Sequence, residues 1–215
     1  MSKLTIAVVV VSVALGAAAR ANKGSVWRFD GDADGASPAG FSFGRTGKGA
    51  AGHWVVRRVD KAPSGGYVLV QDDADKTAER FPVAVADDTT LADVALKVKC
   101  KAVSGKVDQA CGVVLRYQDE NNYLVARANA LENNVRLYVV VTGKRKQLAG
   151  WDGKVTAGAW HELKVEAKGD RCLVSWDGQK VIDARDKTLL GAGKVGVWTK
   201  ADSVTWFDDL TVEPR

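Results

Sequence analysis

Short runs of alternating hydrophobic and polar residues, cut by Gly, Asp and Asn, follow one another from Val26 to Arg215. Successive side chains of a β-strand point to opposite faces, so this alternation is typical of strands with one buried face. No stretch keeps the 3.6-residue apolar spacing of an amphipathic helix. The predicted strands are 26–29, 53–59, 67–71, 91–102, 110–118, 123–129, 135–142, 146–151, 160–168, 171–176, 179–184, 194–199 and 204–213.

So many short antiparallel strands need two stacked sheets, and the predicted fold is an all-β, antiparallel jelly-roll sandwich. The Gly-, Asp- and Ala-rich stretch 30–52 is predicted to be a long loop. Asp177-Gly178 is predicted to form a tight hairpin turn. The basic run 144–146 lies between two predicted strands, and we interpret it as a solvated turn.

The first 21 residues have the features of a secretory signal peptide. A Lys3-containing start precedes an apolar run at 4–15, and Ala19-Arg20-Ala21 supplies small residues where signal peptidase requires them. The apolar run is shorter than the roughly 20 residues of a spanning helix. We therefore expect cleavage after Ala21, one domain at 22–215 and export to the periplasm or the outside of the cell. An uncleaved membrane anchor is the alternative.

The charge balance is mildly basic. The net charge of the chain is +5, and without Lys3 and Arg20 of the predicted signal peptide it is +3. Lys and Arg are scattered along the sequence, which argues against a nucleic-acid-binding patch. A weak attraction to anionic polysaccharides or phospholipid head groups is compatible with this charge.

Three cysteines occur in a chain that is predicted to meet an oxidising compartment, where one pair would bond. Cys100 shares its inward parity with Val94, Leu96 and Val98, and a hairpin turning near 104–106 would place Cys111 opposite it. The predicted disulfide is Cys100–Cys111, which leaves Cys172 as a buried thiol. Three reduced, buried cysteines are the alternative.

Arg, Asn and aromatic residues are unusually dense between Arg116 and Tyr138. On a strand at 123–129, Tyr123, Arg127 and Asn129 share one face, and Leu124, Ala126 and Ala128 share the other. Guanidinium and amide donors beside a phenol ring suit the edges and the face of a sugar. The alternative is a solvated outer face with cross-strand pairs. The candidate ligand-binding residues are Arg116, Tyr123, Arg127, Asn129, Glu132, Asn133, Arg136 and, as a stacking platform on a glycine-flanked strand, Trp151.

Four segments carry a family resemblance: GVVLRYQDENNYLVARANALENNVRLY, AWHELKVEAKGD, WDGQKVID and GKVGVWTKADSVTWFDDLTV. Together they resemble the concanavalin A-like, laminin-G-like jelly rolls of secreted bacterial proteins. Within that class the chain is most similar to the group named for 3-keto-disaccharide hydrolases, which is loosely linked with family 16 glycoside hydrolases. The resemblance extends from Trp27 to Val212. It implies a jelly-roll fold and a carbohydrate partner, with glycoside cleavage as a second implied activity.

The carboxylates favour binding over hydrolysis. A retaining glycosidase needs two carboxyl groups about 5 Å apart, and the Glu-x-Asp-x-x-Glu pattern of family 16 enzymes is absent from the sequence. No catalytic residue is assigned. Asp30-Gly31-Asp32-Ala33-Asp34-Gly35 begins like a calcium loop, but Phe41 stands where a bidentate Glu is required. The resemblance leaves calcium open on this loop or at 72–75, and no cofactor or metal ligand is assigned.

We therefore predict an exported carbohydrate-binding module, with a glycoside-active enzyme and an adhesive envelope module for a protein partner as alternatives. Arg127, at the centre of the predicted face, is expected to carry hydroxyl contacts. If it is exposed, Arg127→Ala should change stability by no more than about 0.5 kcal/mol.

Overall fold

The computed structural model describes residues 24–215, which form fifteen β-strands without a helix. The predicted signal peptide at 1–21 lies outside the described residues. The strands are β1 Ser25–Trp27, β2 Phe41–Gly47, β3 Trp54–Arg58, β4 Tyr67–Gln71, β5 Arg80–Ala86, β6 Val94–Ser104, β7 Ala110–Asp119, β8 Asn122–Asn129, β9 Asn134–Val141, β10 Lys144–Asp152, β11 His161–Lys168, β12 Arg171–Trp176, β13 Gln179–Arg185, β14 Lys194–Trp198 and β15 Val204–Pro214.

Two antiparallel sheets stack to form a sandwich, as predicted. The eight-strand sheet has the order β13-β12-β11-β6-β15-β4-β3, with β1 also paired to β15. The seven-strand sheet has the order β10-β9-β8-β7-β14-β5-β2. Neighbours in each sheet come from distant parts of the chain, for example β14 between β5 and β7. This crossing between sheets is the topology of a jelly roll.

The main core fills the space between the sheets and follows the predicted alternation. On β6, Val94, Leu96 and Val98 are fully buried in this core, and Lys97 and Lys99 point outward. Burial of these alternating side chains from both sheets removes a large apolar area from water, which is the main driving force for the fold.

Two strands were not predicted, and one turn was placed wrongly. β2 lies within the predicted loop 30–52, because Gly44 and Gly47 hide its alternation. β5 was missed at Pro82, a residue that usually interrupts a sheet. The run 144–146 opens strand β10 and is not the turn itself. The turn is the pair Thr142-Gly143, whose φ angles of 50° and 74° are those of a tight two-residue hairpin.

The predicted disulfide between Cys100 and Cys111 is present, and Cys172 is a buried free thiol. The predicted hairpin between the two bonded cysteines is wrong. Cys100 lies on β6, whose neighbours are β11 and β15, whereas Cys111 lies on β7, whose neighbours are β8 and β14. The bond therefore connects the two sheets across the core.

The acidic loop 30–35 uses its carboxylates to hold its own backbone. Asp30 accepts hydrogen bonds from the amides of Gly66 and Tyr67, and Asp34 accepts one from the amide of Arg58. Residues 24–215 contain no cluster of three or more His, Cys, Asp or Glu arranged to hold a metal ion. Nor does a helix in that range have the length and apolarity needed to cross a membrane.

A loop at 59–66 is fastened to β15 through Asp208. The Ser64 amide donates to this carboxylate at 2.9 Å, and the Ser64 hydroxyl donates at 3.2 Å. Asp208 has no exposed surface. Burial, partly offset by the amide donors of Ser64 and Asp209, raises the pKa of Asp208 from 3.8 to about 6.

The pKa of Asp208 predicts a pH dependence of stability. The pKa of Asp208 is higher in the folded state than in the unfolded state, so the protonated carboxyl group favours folding. This contribution to stability is fully present below pH 3.8 and is lost as the pH rises through about 6. Asp208→Asn, which cannot ionise, should gain roughly 2 to 3 kcal/mol relative to the wild type across this interval. Urea unfolding of both proteins as a function of pH measures the difference, and a constant difference would contradict the assignment.

Candidate functional site

The side of the seven-strand sheet that faces away from the core carries the predicted ligand-binding strand. Leu124, Ala126 and Ala128 of β8 lie in the core between the sheets. Tyr123, Val125 and Arg127 therefore lie on the opposite side, called the outer face below. Opposite Arg127 on β9 is Arg136, and opposite Val125 is Tyr138.

Much of the outer face is buried by its own side chains, which differs from the predicted polar surface. Tyr123 and Asn129 are each 1% exposed, and Arg127 is 4% exposed. They surround a second apolar cluster, which consists of Val83, Val85, Ala110, Val114, Tyr123, Val125, Tyr138, Val140 and Trp198, with Phe81 and Tyr117 against it. The outer face is thus a second, shallower core roofed by aromatic and arginine side chains.

Aromatic rings form the roof of this cluster in two stacked pairs. Phe81 of β5 and Trp198 of β14 stack with ring centroids 5.6 Å apart and an interplanar angle of 11°. Tyr117 of β7 and Tyr123 of β8 stack at 5.7 Å. The Thr46 and Tyr123 hydroxyls are 2.7 Å apart. Burial raises the pKa of Tyr117 to about 12 and also raises that of Tyr123, so both phenols stay neutral and can donate hydrogen bonds.

Arg145 of β10 lies across these rings. Its guanidinium carbon is 4.5 Å from the centroid of Tyr138, 4.7 Å from that of Phe81 and 6.0 Å from that of Trp198. Contacts of a cation with ring faces at these distances are attractive. Nη1 of Arg145 is buried without a hydrogen-bond partner. The guanidinium of Arg145 is therefore held by contacts with aromatic rings and not by hydrogen bonds.

A groove of about 580 Å³ opens beside this roof. It is lined by Gly47, Ala78, Glu79, Phe81, Gly143, Lys144, Arg145 and Lys200. The lining brings together the hairpin turn between β9 and β10, the start of β5 and the residue two positions after β14. The lining contains three cations (Lys144, Arg145 and Lys200), the carboxylate of Glu79 and the aromatic ring of Phe81. The groove therefore offers a ligand both an apolar surface and hydrogen-bond donors.

Arg127 is the centre of a polar network at one end of the outer face. Nη2 donates to Oε2 of Glu132 at 2.7 Å and to the Tyr138 hydroxyl at 3.2 Å, and Nη1 donates to Oδ1 of Asn134. Burial disfavours the charged form of Glu132, but the charge of Arg127 and the hydrogen bonds from Asn134 and Arg127 outweigh it and lower the pKa of Glu132. Arg127 is thus committed to protein partners.

Asn129 belongs to an adjoining network. Its amide donates to Oδ1 of Asp108 at 2.8 Å, and its carbonyl oxygen accepts from the amides of Leu131 and Glu132. Burial raises the pKa of Asp108 against the opposing effect of Lys200, whose Nζ lies 2.5 Å from Oδ2. Asn129 and Asp108 fix the loop before β7 and position Lys200 at the groove.

Arg116 does not join the outer face. It has a φ of 50°, and the register of β7 with β8 shifts between Leu115 and Asp119, which removes the simple alternation. The guanidinium is 1% exposed and donates to the carbonyls of Ala92, Leu189 and Gly169. It anchors three loops and is inaccessible to a ligand, so its assignment as a contact residue is corrected.

Arg136 and Asn133 lie at the β9–β10 end of the face and serve the backbone. Arg136 donates to the Trp151 carbonyl at 2.8 Å and pairs with Asp152. Asn133 is exposed with a φ of 50°, and its side-chain oxygen accepts from the amide of Val155. Both are near the outer face without lining the groove.

Trp151 lies on the other side of the sheet. It pairs with Val135 on β9, a member of the main core, and its ring packs against that core and over Gly153. A bulge between Gln147 and Ala149 changes the parity of β10, so counting along the strand does not reveal this. Trp151 therefore does not share the outer face with Arg127, and its role as a stacking platform stays a prediction.

Sequence reasoning missed the residues that the groove presents, namely Phe81, Lys144, Arg145 and Lys200. Phe81 lies on an unpredicted strand, and Lys144 and Arg145 lie in the run interpreted as a turn. One signal was available. Apolar residues in β7, β8 and β9 are nearly continuous, which indicates strands buried on both faces and hence a covered outer face.

Comparison with solved structures shows which proteins share this fold. No protein-family model matches the sequence, and no curated protein matches it. Carbohydrate binding module CBM66 from Bacillus subtilis superposes with a TM-score of 0.61 and 21% identity, covering 81% of this chain and 95% of that one. The fold is an antiparallel two-sheet jelly-roll sandwich.

Other solved jelly rolls agree with this assignment. The VIP36 exoplasmic/lumenal domain, in a Ca²⁺/Man-bound form, has a TM-score of 0.60 at 12% identity and covers 91% of both chains. A putative glycosyl hydrolase from Parabacteroides distasonis has a TM-score of 0.55 at 14% identity, covering 90% of this chain and all of that one. These similarities establish the fold, and they do not identify the chain with the 3-keto-disaccharide hydrolase group.

Proposed function

We propose that the protein is an exported carbohydrate-binding module that holds a saccharide in the groove on the outer face. The observation that carries the proposal is the Phe81 ring beside the half-buried guanidinium of Arg145, which has no hydrogen-bond partner within residues 24–215, at a groove of about 580 Å³. A sugar presents an apolar face and a rim of hydroxyls, which such a plate and donors match. The shared fold of a carbohydrate-binding module from Bacillus subtilis supports it.

Each groove residue has a distinct role in this proposal. The exposed part of the Phe81 ring contacts the apolar side of the sugar, and Arg145 and Lys144 donate to its oxygens. Lys200, positioned by Asp108, closes the groove on the side of β14. Tyr123, Arg127, Asn129 and Glu132 support this surface from below and do not contact the ligand. Export is supported by the predicted signal peptide at 1–21 and by the disulfide, since disulfides persist in oxidising compartments.

The carboxylates favour binding over catalysis. Asp108 has a raised pKa and Glu132 a lowered one, a division of roles that acid–base pairs also show. However, Asp108 is 1% exposed and paired with Lys200, and Glu132 is paired with Arg127. Neither is aimed at the groove, whose lining contributes Glu79 as its carboxylate.

A binding screen of the purified protein against neutral and acidic polysaccharides tests the proposal, with chromatography of the supernatants to detect products. We expect retention on a glycan without new products. Release of a sugar would support the glycoside-active alternative. Absence of both signals would favour the alternative of an adhesive module that binds a protein partner.

Phe81→Leu locates the site, because it removes the flat ring and keeps an apolar side chain. We expect affinity for the retained glycan to fall by about 3- to 10-fold. Phe43→Leu is the matched control. Phe43 is 39% exposed but stacks on Trp54 and is opposite Ala84, a core residue, so it lies on the other side of the sheet. Equal effects of the two substitutions would contradict the assigned face.

A further inference from the structure

We infer that the saccharide bound in the groove is acidic and that its carboxylate or sulfate group binds to Arg145. This inference rests on the proposed function and names the ligand class of the same site. A planar guanidinium offers parallel donors that match two oxygens of either anion. Three features of the molecule support it: the unsatisfied state of Arg145, its contrast with the buried arginines, and the charge of the groove.

Arg145 is held in place without a hydrogen-bonding partner. Three aromatic rings contact its guanidinium, and no hydrogen bond or ion pair within residues 24–215 reaches it. A buried donor that lacks a partner costs free energy, more so when it is charged. Nη1 is covered by the rings, but Arg145 as a whole is half-buried and lines the groove. The part of its N–H edge that the rings leave uncovered is therefore available to an oxyanion from the groove.

The buried arginines behave differently. Arg80 donates to the carbonyls of Ala50 and Ala201 and pairs with Asp73. Arg116 and Arg127 likewise bond a carboxylate and further oxygens. The fold thus supplies acidic partners for the guanidinium groups that it buries. Nε of Arg127 is also buried without a partner, but the other nitrogens of that guanidinium are bonded. The guanidinium of the half-buried Arg145 has no hydrogen-bond acceptor within residues 24–215, and it lies at the groove.

The charges around the groove also favour an anion. Lys144, Arg145 and Lys200 line it, against Glu79. Glu79 is 3.7 Å from Lys48 and Lys200 is paired with Asp108, so these two charges are offset. Lys144 and Arg145 have no ion pair within the described residues. The groove therefore keeps an excess of positive charge next to an apolar ring. Hydrogen bonds between ionised partners are roughly twice as strong as neutral ones.

The test compares polymers that differ in a single kind of anionic group, the carboxylate in one pair and the sulfate in the other. Polygalacturonate is set against its methyl ester, and heparin against desulfated heparin, at physiological ionic strength. We expect one of the two polymers to bind about tenfold or more tightly than its counterpart that lacks the tested anion. The pair that discriminates identifies the anion as a carboxylate or as a sulfate.

Arg145→Gln should abolish this discrimination. Arg185→Gln removes the same charge from β13, at the edge of the other sheet, and should leave it unchanged. An equal loss in both variants would show that binding depends on net charge, and it would overturn the inference. Arg145→Lys keeps the charge but loses the planar pair of guanidinium donors, so it should retain part of the preference for the anionic polymer. The comparison is valid if the variants have unchanged melting temperatures.

Failure of the inference is distinguishable from failure of the proposed function. Retention on neutral glycans with no preference for the charged polymers would overturn the inference and leave the binding module intact. Failure to bind any neutral or acidic polymer would overturn both the inference and the proposed function.

Discussion

Replacement of Arg116 with methionine should lower the free energy of unfolding by roughly 3 to 5 kcal/mol. The guanidinium donates to three carbonyls, of Ala92, Gly169 and Leu189, at 2.7 to 3.0 Å, and it pairs with Asp93. Methionine fills part of the space but leaves the buried Leu189 carbonyl without a donor and removes the part-buried bonds to Ala92 and Gly169, which costs free energy. Urea unfolding of the variant and the wild type measures the loss.

Arg171→Met is the control for this experiment. Arg171 pairs with Asp183, but both side chains are more than one third exposed, so its removal should cost less than about 1 kcal/mol. A loss at Arg116 as small as that at Arg171 would show that its hydrogen bonds are replaced by water. A large loss of unfolding free energy would show that Arg116, although its side chain resembles a ligand contact, serves to hold the loops together.

Strand alternation was sufficient to predict the sandwich and the faces of β8. The parity of Leu124, Ala126 and Ala128 is set by the geometry of any extended strand, so it survives in the fold. Parity does not show whether the polar side of a strand is open to water. Val125, Val140 and Trp198 make the outer face apolar as well, and these residues come from three strands that are brought into one sheet only by folding.

Irregular backbone accounts for the misplaced residues. Arg116 leaves the predicted face at a register shift in β7, and Trp151 leaves it after the bulge in β10. A single inserted residue reverses the parity of every later residue in the strand, and nothing in the local sequence marks either bulge.

The failure to predict the position of Arg145 has a cause that can be seen in the sequence. Reading the basic run as the turn ignored Thr142-Gly143, a two-residue connection that suffices for a hairpin because both residues have positive φ. Once the turn is placed there, Arg145 becomes the second residue of β10 and is opposite Val140, a member of the outer-face cluster. The position of the residue that we now assign to the ligand is thus predictable from turn chemistry.

Arg127→Ala is expected to destabilise the protein by roughly 3 to 4 kcal/mol, which corrects the sequence-based expectation of little change. That expectation assumed an exposed side chain, whereas Arg127 is 4% exposed. Its removal leaves the Asn134 oxygen and the Tyr138 hydroxyl without their partner and opens a cavity beneath the outer face. Chemical denaturation measures the loss.

Arg136→Ala is a closely matched control, because Arg136 is the register partner of Arg127 on β9. Its carboxylate partner, Asp152, is 82% exposed, so water replaces the lost contact and the cost should be smaller. Comparable losses would contradict the network assigned to Arg127.

The pH dependence separates the Glu132 pair from the rest of the Arg127 network. The pKa of Glu132 is depressed below 4.5 in the folded state, so its contribution is present at neutral pH and is lost as the pH falls through and below 4.5. The difference between the wild type and Arg127→Ala should therefore narrow on acidification but not vanish, because Arg127 keeps its bonds to Asn134 and Tyr138 when Glu132 is protonated. If the difference stays constant, the Glu132 pair contributes nothing, and Arg127 stabilises the outer face through its neutral partners and its packing alone.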